Sequence, residues 1–255
     1  MSALLSNDDG ISAPGLLALS RAMADVADEV WVCAPEHERS AISHAITMGV
    51  PLRVRPTLLP GVSAQAWSVS GTPADCVKLA LEELVPRRPD VVISGINRGP
   101  NLGTDVLYSG TVAAAAEGML EGLPSIAASL ASEDSADYSA AAKFCAHLAK
   151  LVVDHGGLPK GTILNVNVPG TWRGPDSGIR VTRLGIQKYT NIFDKRADPR
   201  GRTYYWLCGE PVEEEDGGEL DTEAVRCGYV SITPVHFAMT DDSAISIIRG
   251  WGLET

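Results

Sequence analysis

Apolar and polar positions along this chain fall into blocks whose period switches between that of a strand and that of a helix. Residues 3–6 are a short apolar run and read as a buried strand. Gly15 to Ala24 then places Leu16, Leu17, Leu19 and Met23 at helical spacing. Glu29 to Ala34 (EVWVCA) is a second strand, stopped by Pro35, and Gln65 to Val69 a third. Thr72 and Pro73 are suited to the N-cap and first position of a helix over 74–84. Asp90 to Ser94 (DVVIS) is a strand that runs into a Gly-rich loop. Thr111 to Leu120 is a helix of small residues, Ser125 to Ser129 a strand, Tyr138 to Val153 a long amphipathic helix, and Ile163 to Val168 a closing strand. Strand and helix alternate, and several strands are apolar throughout, as when helices cover both faces of a parallel sheet. The pattern predicts a doubly wound α/β core over residues 1–170.

Beyond residue 170 the alternation stops. Ile179 to Leu184 and Arg202 to Leu207 are strand-like pieces around a polar loop, Asp194 to Arg200. Glu213 to Gly218 (EEEDGG) reads as a solvated loop, Gly228 to Pro234 as a strand, and Ala244 to Gly250 as a strand or a short helix. Residues 171–255 are therefore expected to form a β-rich C-terminal extension. It cannot bury both its faces alone, so it packs on a partner subunit or on the core.

Composition narrows the function. Hydrophobic residues make up 45% of the 255, enough for a sizeable core. The net charge of −11 argues against a broad nucleic-acid surface, which is usually basic. The five cysteines (Cys33, Cys76, Cys145, Cys208, Cys227) are scattered without a CxxC pair, as expected of reduced thiols in a cytoplasmic protein. No secretory signal pattern and no apolar run long enough to cross a bilayer is evident.

The chemistry is concentrated in four segments that each follow a strand or open a helix. Asn7-Asp8-Asp9-Gly10 sets two adjacent carboxylates at the tip of the first strand, with no Lys or Arg beside them. At roughly 4 Å and an effective dielectric of about 20, two such charges repel by about 4 kcal/mol. A bound cation, a shared proton or side chains splayed into water would relieve this. In open α/β sheets ligands bind at this edge. Pro35 to Ala41 places Arg39 and Ser40 near it, with His37 and His44 close in sequence. Ser94-Gly95-Ile96-Asn97-Arg98-Gly99-Pro100-Asn101-Leu102-Gly103 supplies amide oxygens and flexible backbone N–H groups, but matches neither a P-loop nor a dinucleotide fingerprint. Tyr108-Ser109-Gly110-Thr111 opens the small-residue helix as an anion site. Together they suggest a divalent cation held by Asp8, Asp9, Ser40 and Asn97, with a phosphate beside it held by Asn101 and the 109–111 turn. That suits phosphoester hydrolysis, with a cation polarising a phosphoryl oxygen and a carboxylate, Asp9, accepting the proton of water.

The strings SNDDGISAPG, APEHERSAISHAIT, SGTPADCVKLAL, VISGINRGPNLGTDVLYSGTVAAAAEG and GYVSITP resemble those of the SurE family, the stationary-phase survival proteins that act as 5′-nucleotidases. The resemblance implies a Rossmann-like core and a metal-dependent phosphatase for nucleoside 5′-monophosphates, with Mg²⁺ or Mn²⁺ as the one cation per subunit. Activity on other small phosphoesters and on short polyphosphate also occurs in the family. By motif match the metal ligands fall on Asp8, Asp9, Ser40 and Asn97, and the phosphate-side positions on Asn101, Ser109, Gly110 and Thr111. The family forms dimers and tetramers with exchanged C-terminal extensions, which implies a homodimer or homotetramer here. Residues 179–226 match the pattern less clearly.

Two other readings remain at this stage. One is a non-catalytic nucleotide- or metal-binding module on the same fold. The other is a nicotinamide-dependent oxidoreductase, disfavoured because the first turn reads NDDGISAPG. A phosphoenzyme on Ser40 or Ser109 ranks below direct attack by water, since neither serine has a base partner evident in the sequence.

Overall fold

The computed structural model describes residues 1–132, 137–190, 192–212 and 219–253. The expected solvated loop at 213–218 lies outside them. In chain order the elements begin with β1 (Ser2–Ser6), α1 (Pro14–Ala24), β2 (Glu29–Pro35), β3 (Val54–Thr57), β4 (Gln65–Val69), α2 (Pro73–Leu79) and β5 (Val91–Arg98). They continue with α3 (Gly110–Leu120), β6 (Ser125–Ala131), α4 (Ser139–Asp154) and β7 (Thr162–Pro169). The C-terminal part holds β8 (Ile179–Val181), β9 (Tyr189–Thr190), β10 (Phe193–Ala197), β11 (Thr203–Leu207), β12 (Glu210–Pro211), α5 (Asp221–Arg226), β13 (Val230–His236) and α6 (Asp242–Arg249).

A nine-stranded sheet runs in the order β3-β4-β2-β1-β5-β6-β7-β13-β8. Strands β4 through β7 in that order are parallel. Antiparallel β3 closes one side, and β13 pairs antiparallel with β7 on the other. The chain winds one way from β1 to β2 and β4, then returns to start β5 on the opposite flank of β1. The β1–β5 seam is thus the topological switch point, the place where open α/β sheets bind ligands beyond the strand C-termini. Helices α1 and α4 cover one face over a core including Leu5, Leu16, Ile93, Ile126 and Ala146. Helices α2 and α3 cover the other, over Leu4, Trp31, Val77, Val92 and Ala114. Strands β1, β2 and β7 are buried at nearly every residue, which is why β1 and β2 read as near-continuous apolar runs.

Local chemistry sets the helix starts. Thr72 caps α2 as expected: its hydroxyl accepts Asp75 N–H at 3.1 Å, Asp75 accepts Thr72 N–H at 2.8 Å, and Pro73 fills the first turn. The helix expected over 74–84 ends its α-helical part at Leu79 and widens into a π-helical turn from Ala80 to Leu84.

Other expectations need correction. The strand expected to stop at Ser94 continues through the glycine to Arg98, because Asn97 and Arg98 pair with Ser129 and Leu130 of β6 after a register shift. Partner strands outweigh the turn preference of Gly95. Most of the polar segment 194–200 is strand β10, zipped to β11 as a hairpin. The ambiguous 244–250 segment is helix α6, capped by Asp241 Oδ1 on Ser243 and Ala244 N–H. Strand β3 had no sequence forecast. Its Pro56 is compatible with an edge strand.

Of the residues after 170, β8 and β13 are strands of the main sheet. The β10–β11 hairpin stands outside it, with Phe193, Tyr205, Trp206 and Leu207 all more than half exposed. Helix α6 buries no residue. All five cysteines are free, and no described helix is long and apolar enough to cross a membrane.

Candidate active site at the switch point between β1 and β5

Asn7 shapes the turn after β1. Its Nδ2 donates to Gly10 O at 3.0 Å and its Oδ1 accepts Gly10 N–H at 3.2 Å, so the buried amide closes a loop around Asp8 and Asp9. The next layer is the segment after β2, where Arg39 N–H donates to Asp8 O at 2.7 Å. Ser40 follows directly on that bond, in an exposed loop, and its hydroxyl donates to Glu38 Oε1 at 2.6 Å.

Asp8 is 5% exposed. Its Oδ1 accepts the hydroxyl of Thr111, which is itself fully buried at the second position of α3. The Thr111 backbone N–H also bears on this carboxylate. The positive end of α3 is therefore directed at Asp8. Gly110 makes that approach possible, since a Cβ there would lie 2.8 Å from Asp8 Cβ and 3.0 Å from Oδ2. Ser109 spends its hydroxyl as the helix cap, accepting Val112 N–H at 3.1 Å.

Burial pushes the Asp8 carboxyl above its ordinary range in spite of the Thr111 hydrogen bonds. Asp9 is raised to about 6, first by burial and then by the charge of Asp8, while Arg98 N–H at 3.1 Å on Oδ2 pulls the other way. Glu38 adds a smaller push to both. Neither aspartate makes an ion pair among the described residues. Such a pair of elevated, unpaired carboxyls is poised to take a cation.

Asn97 is the last residue but one of β5, next to the Arg98 whose N–H meets Asp9. Its Nδ2 donates to Gly99 O at 2.9 Å and Arg98 O at 3.3 Å. That orientation turns Oδ1 the other way, with no hydrogen bond to any described residue. Behind the site, the hydroxyls of Ser6 and Ser94, paired in register across β1 and β5, are buried without a partner among the described residues. The donor set of carboxylate, amide and hydroxyl oxygens fits a hard divalent cation such as Mg²⁺ or Mn²⁺. No group of three or more His, Cys, Asp or Glu side chains converges anywhere in the described residues, so a cation here needs Asn and Ser oxygens to complete its shell.

The structure therefore brings Asp8, Asp9, Asn97, Gly110 and Thr111 to one sheet edge, with Ser40 on the loop that bonds Asp8. Asn101 lies differently. Its Nδ2 donates to Ser129 Oγ at 2.8 Å, its N–H to Asn167 Oδ1 at 2.8 Å, and its carbonyl accepts from Asn165 and Asn167. The side-chain donor is thus committed to seating the loop on β6 and β7. Residues 163–168 (ILNVNV) alternate Asn with apolar side chains, the one sequence sign of this polar seat. Glu38 and Glu117 were also missed as neighbours of the site. Glu117 on α3 accepts Lys78 Nζ and contacts His44 Nε2, both at 2.8 Å, tying the loop of Ser40 to α2 and α3.

The family model for "Survival protein SurE" matches residues 3–191. The chain belongs to the SurE family. Among SurE relatives, a protein of Pelotomaculum thermopropionicum named "5'-nucleotidase SurE" is 56% identical over 94% of this chain and 91% of its own length. One of the same name from Heliobacterium modesticaldum is 54% identical, over 98% of this chain and 92% of that protein. The crystal structure of the SurE protein from Aquifex aeolicus superposes with a TM-score of 0.86 at 38% identity, covering 99% of this chain and 100% of that one. SurE membership thus spans the core and the region after residue 170.

Proposed function

We propose that this chain is a metal-dependent phosphomonoesterase that hydrolyses nucleoside 5′-monophosphates to nucleoside and phosphate. The observation that carries the reading is the meeting of an acidic pair without an ion-pair partner among the described residues, Asp8 buried and Asp9 partly so, with the N-terminus of α3 at the switch point. Relatives more than half identical over nearly the whole chain bear the name of that activity. Asp8, Asp9, Ser40 and Asn97 would hold the divalent cation, Mg²⁺ or Mn²⁺. Bound there, it supplies Lewis-acid polarisation of a phosphoryl oxygen and acidifies water.

The residues divide the remaining work. The Gly110 N–H and the start of α3 offer positive potential to the phosphate oxygens. Thr111 fixes the Asp8 carboxylate through its hydroxyl, so that group meets the ligand in one rotamer. Asp9 accepts the proton of the attacking water on a carboxylate oxygen left free by the cation. Asn101 shapes the phosphate loop from beneath, and Ser109 caps the helix that faces it.

The structure gives Ser40 a partner, Glu38, that was not evident in the sequence. A Ser40 nucleophile would leave a phosphoserine. Rapid quenching with labelled substrate is expected to trap none, and a trapped adduct on Ser40 would replace water attack in this mechanism.

The deciding experiment is phosphate release across the mononucleotides with Mg²⁺ or Mn²⁺, in wild type and in Asp8→Asn and Asp9→Asn. Turnover is expected to vanish on chelation and in Asp8→Asn, and to fall steeply in Asp9→Asn. Full activity in both would end the reading. We also infer a homodimer or homotetramer, because apolar side chains of β10–β11 and α6 stand exposed among the described residues. Five free thiols fit a reducing, cytoplasmic setting.

A further inference from the structure

Residues 99–109 carry the chain from β5 to α3, so their path decides where the phosphate cradle sits. They are held beneath by the asparagines of β7 and at the side by one carboxylate. Asp221, the first residue of α5, is fully buried. Its Oδ2 accepts Gly103 N–H at 2.8 Å, and its Oδ1 accepts Gly185 N–H at 2.8 Å and Thr222 N–H at 2.9 Å. One side chain thus bridges the loop entering α3 and the segment 185–189 that leads to the exposed hairpin.

The same seam continues outward. Thr104 Oγ1 donates to Gln187 O at 3.1 Å and accepts Gln187 N–H at 3.2 Å, and the Tyr189 hydroxyl donates to Asp105. At Gly103 the two backbones touch: φ is +53°, and a Cβ would lie 2.8 Å from Gly185 O. A 3-10 turn then spans Gly103–Leu107, and Tyr108 N–H closes on Asp105 O at 2.9 Å, directly before the cap Ser109. On the far side Ser43 holds Leu107 O and Tyr108 O at 2.7 and 2.9 Å. The segment that leads into Ser109 and Gly110 is thus held at Gly103 and again at Leu107 and Tyr108.

We propose that Asp221 is a positioning residue for the reaction: through Gly103 it sets the α3 N-terminus for phosphate, and it ties that setting to the root of the C-terminal hairpin. The proposal rests on the reading of α3 as the phosphate site. A carboxylate is required because two N–H donors from separate segments need two acceptor oxygens. An amide would turn its NH₂ toward one of them and leave a buried N–H unmatched. Of the proposed cation ligands, Asp9 in the turn after β1 and Asn97 on β5 make no bond to the start of α3, whereas Asp8 is bonded to Thr111, so a shift of α3 should weaken phosphate binding first and cation binding less.

The experiment uses the full chain and Asp221→Asn, with folding checked by circular dichroism and thermal melting. KM for a nucleoside monophosphate and Ki for inorganic phosphate are expected to rise on the order of tenfold. The Kd for Mn²⁺ without phosphate should rise by less than either, because among the proposed ligands Asp8 alone is bonded to α3 in the described residues. A folded variant with unchanged phosphate affinity overturns the proposal. So does a loss of Mn²⁺ binding as large as the loss of phosphate binding. If Asp221→Asn does not fold, Thr104→Val removes the two outer bonds to Gln187 and Tyr189→Phe the one to Asp105. Both should raise KM and phosphate Ki, and wild-type values in both overturn the proposal. Wild-type protein that neither binds phosphate nor releases it from nucleotides would sink the functional reading beneath it. An active wild type with indifferent variants sinks this inference alone.

Discussion

Asp8 and Asp9 differ in what holds them, and the difference predicts how each variant fails. Asp8 is locked by Thr111 and buried, whereas Asp9 is partly open and tethered through Arg98 N–H. Asp8→Asn should abolish cation binding, read directly by Mn²⁺ titration. Asp9→Asn should lower kcat by on the order of 10²–10⁴-fold, the range of a lost acid–base group plus a weakened ligand. Gly110→Ala tests the close approach of α3. Its Cβ would sit 2.8 Å from Asp8 Cβ, so the helix must shift. We expect a stability loss of about 1–3 kcal/mol in denaturant unfolding and kcat/KM lower by about 10²-fold. Unchanged kcat/KM would show that the cradle tolerates displacement. The acidic pair was legible from adjacency alone. The role of Thr111 was not, because a hydroxyl 103 positions away in sequence meets Asp8 only through the packing of α3 on the sheet.

At the scale of elements, Glu117 shows how helices hold a loop. Its carboxylate takes contacts from Lys78 on α2 and His44 on the segment after β2, with Glu121 sharing Lys78. The hydrogen bond to His44 comes first in holding the Glu117 carboxyl below its ordinary range. A depressed carboxylate contributes stability that is present above its unfolded pKa and lost as pH falls through the folded one. Melting temperature against pH should therefore fall more steeply in wild type than in Glu117→Gln as the pH drops below about 4.5, the ordinary glutamate range. Parallel curves would refute this. Periodicity exposed every strand of the parallel series because those strands are buried on both faces. It missed β3, a half-exposed edge strand, and β10, whose FDKRA residues pair only because β11 lies opposite. It also stopped β5 at a glycine that strand pairing carries through.

For the molecule as a whole, the bare acidic pair costs stability that a cation recovers. Mn²⁺ at a hundred times its Kd should stabilise the fold by about 2.7 kcal/mol through mass action. Asp8→Asn should show no such rise in a thermal melt. The hairpin supplies a second test. Trp206 is 58% and Leu207 74% exposed. Trp206→Glu is expected to lower the molar mass seen by light scattering toward that of one chain, and an unaltered mass would assign assembly to another surface.

The order of apolar runs, the carboxylate pair and the glycine-rich turn were determined by the sequence alone, since each depends on neighbours a few residues apart. The insertion of β13 beside β7, the clasp of Asp221 on Gly103 and Gly185, and the aim of α3 at Asp8 were decided only by tertiary structure. Each joins segments separated by tens of residues, and the hydrogen bonds that select such a pairing exist only once the sheet has brought their donors and acceptors face to face.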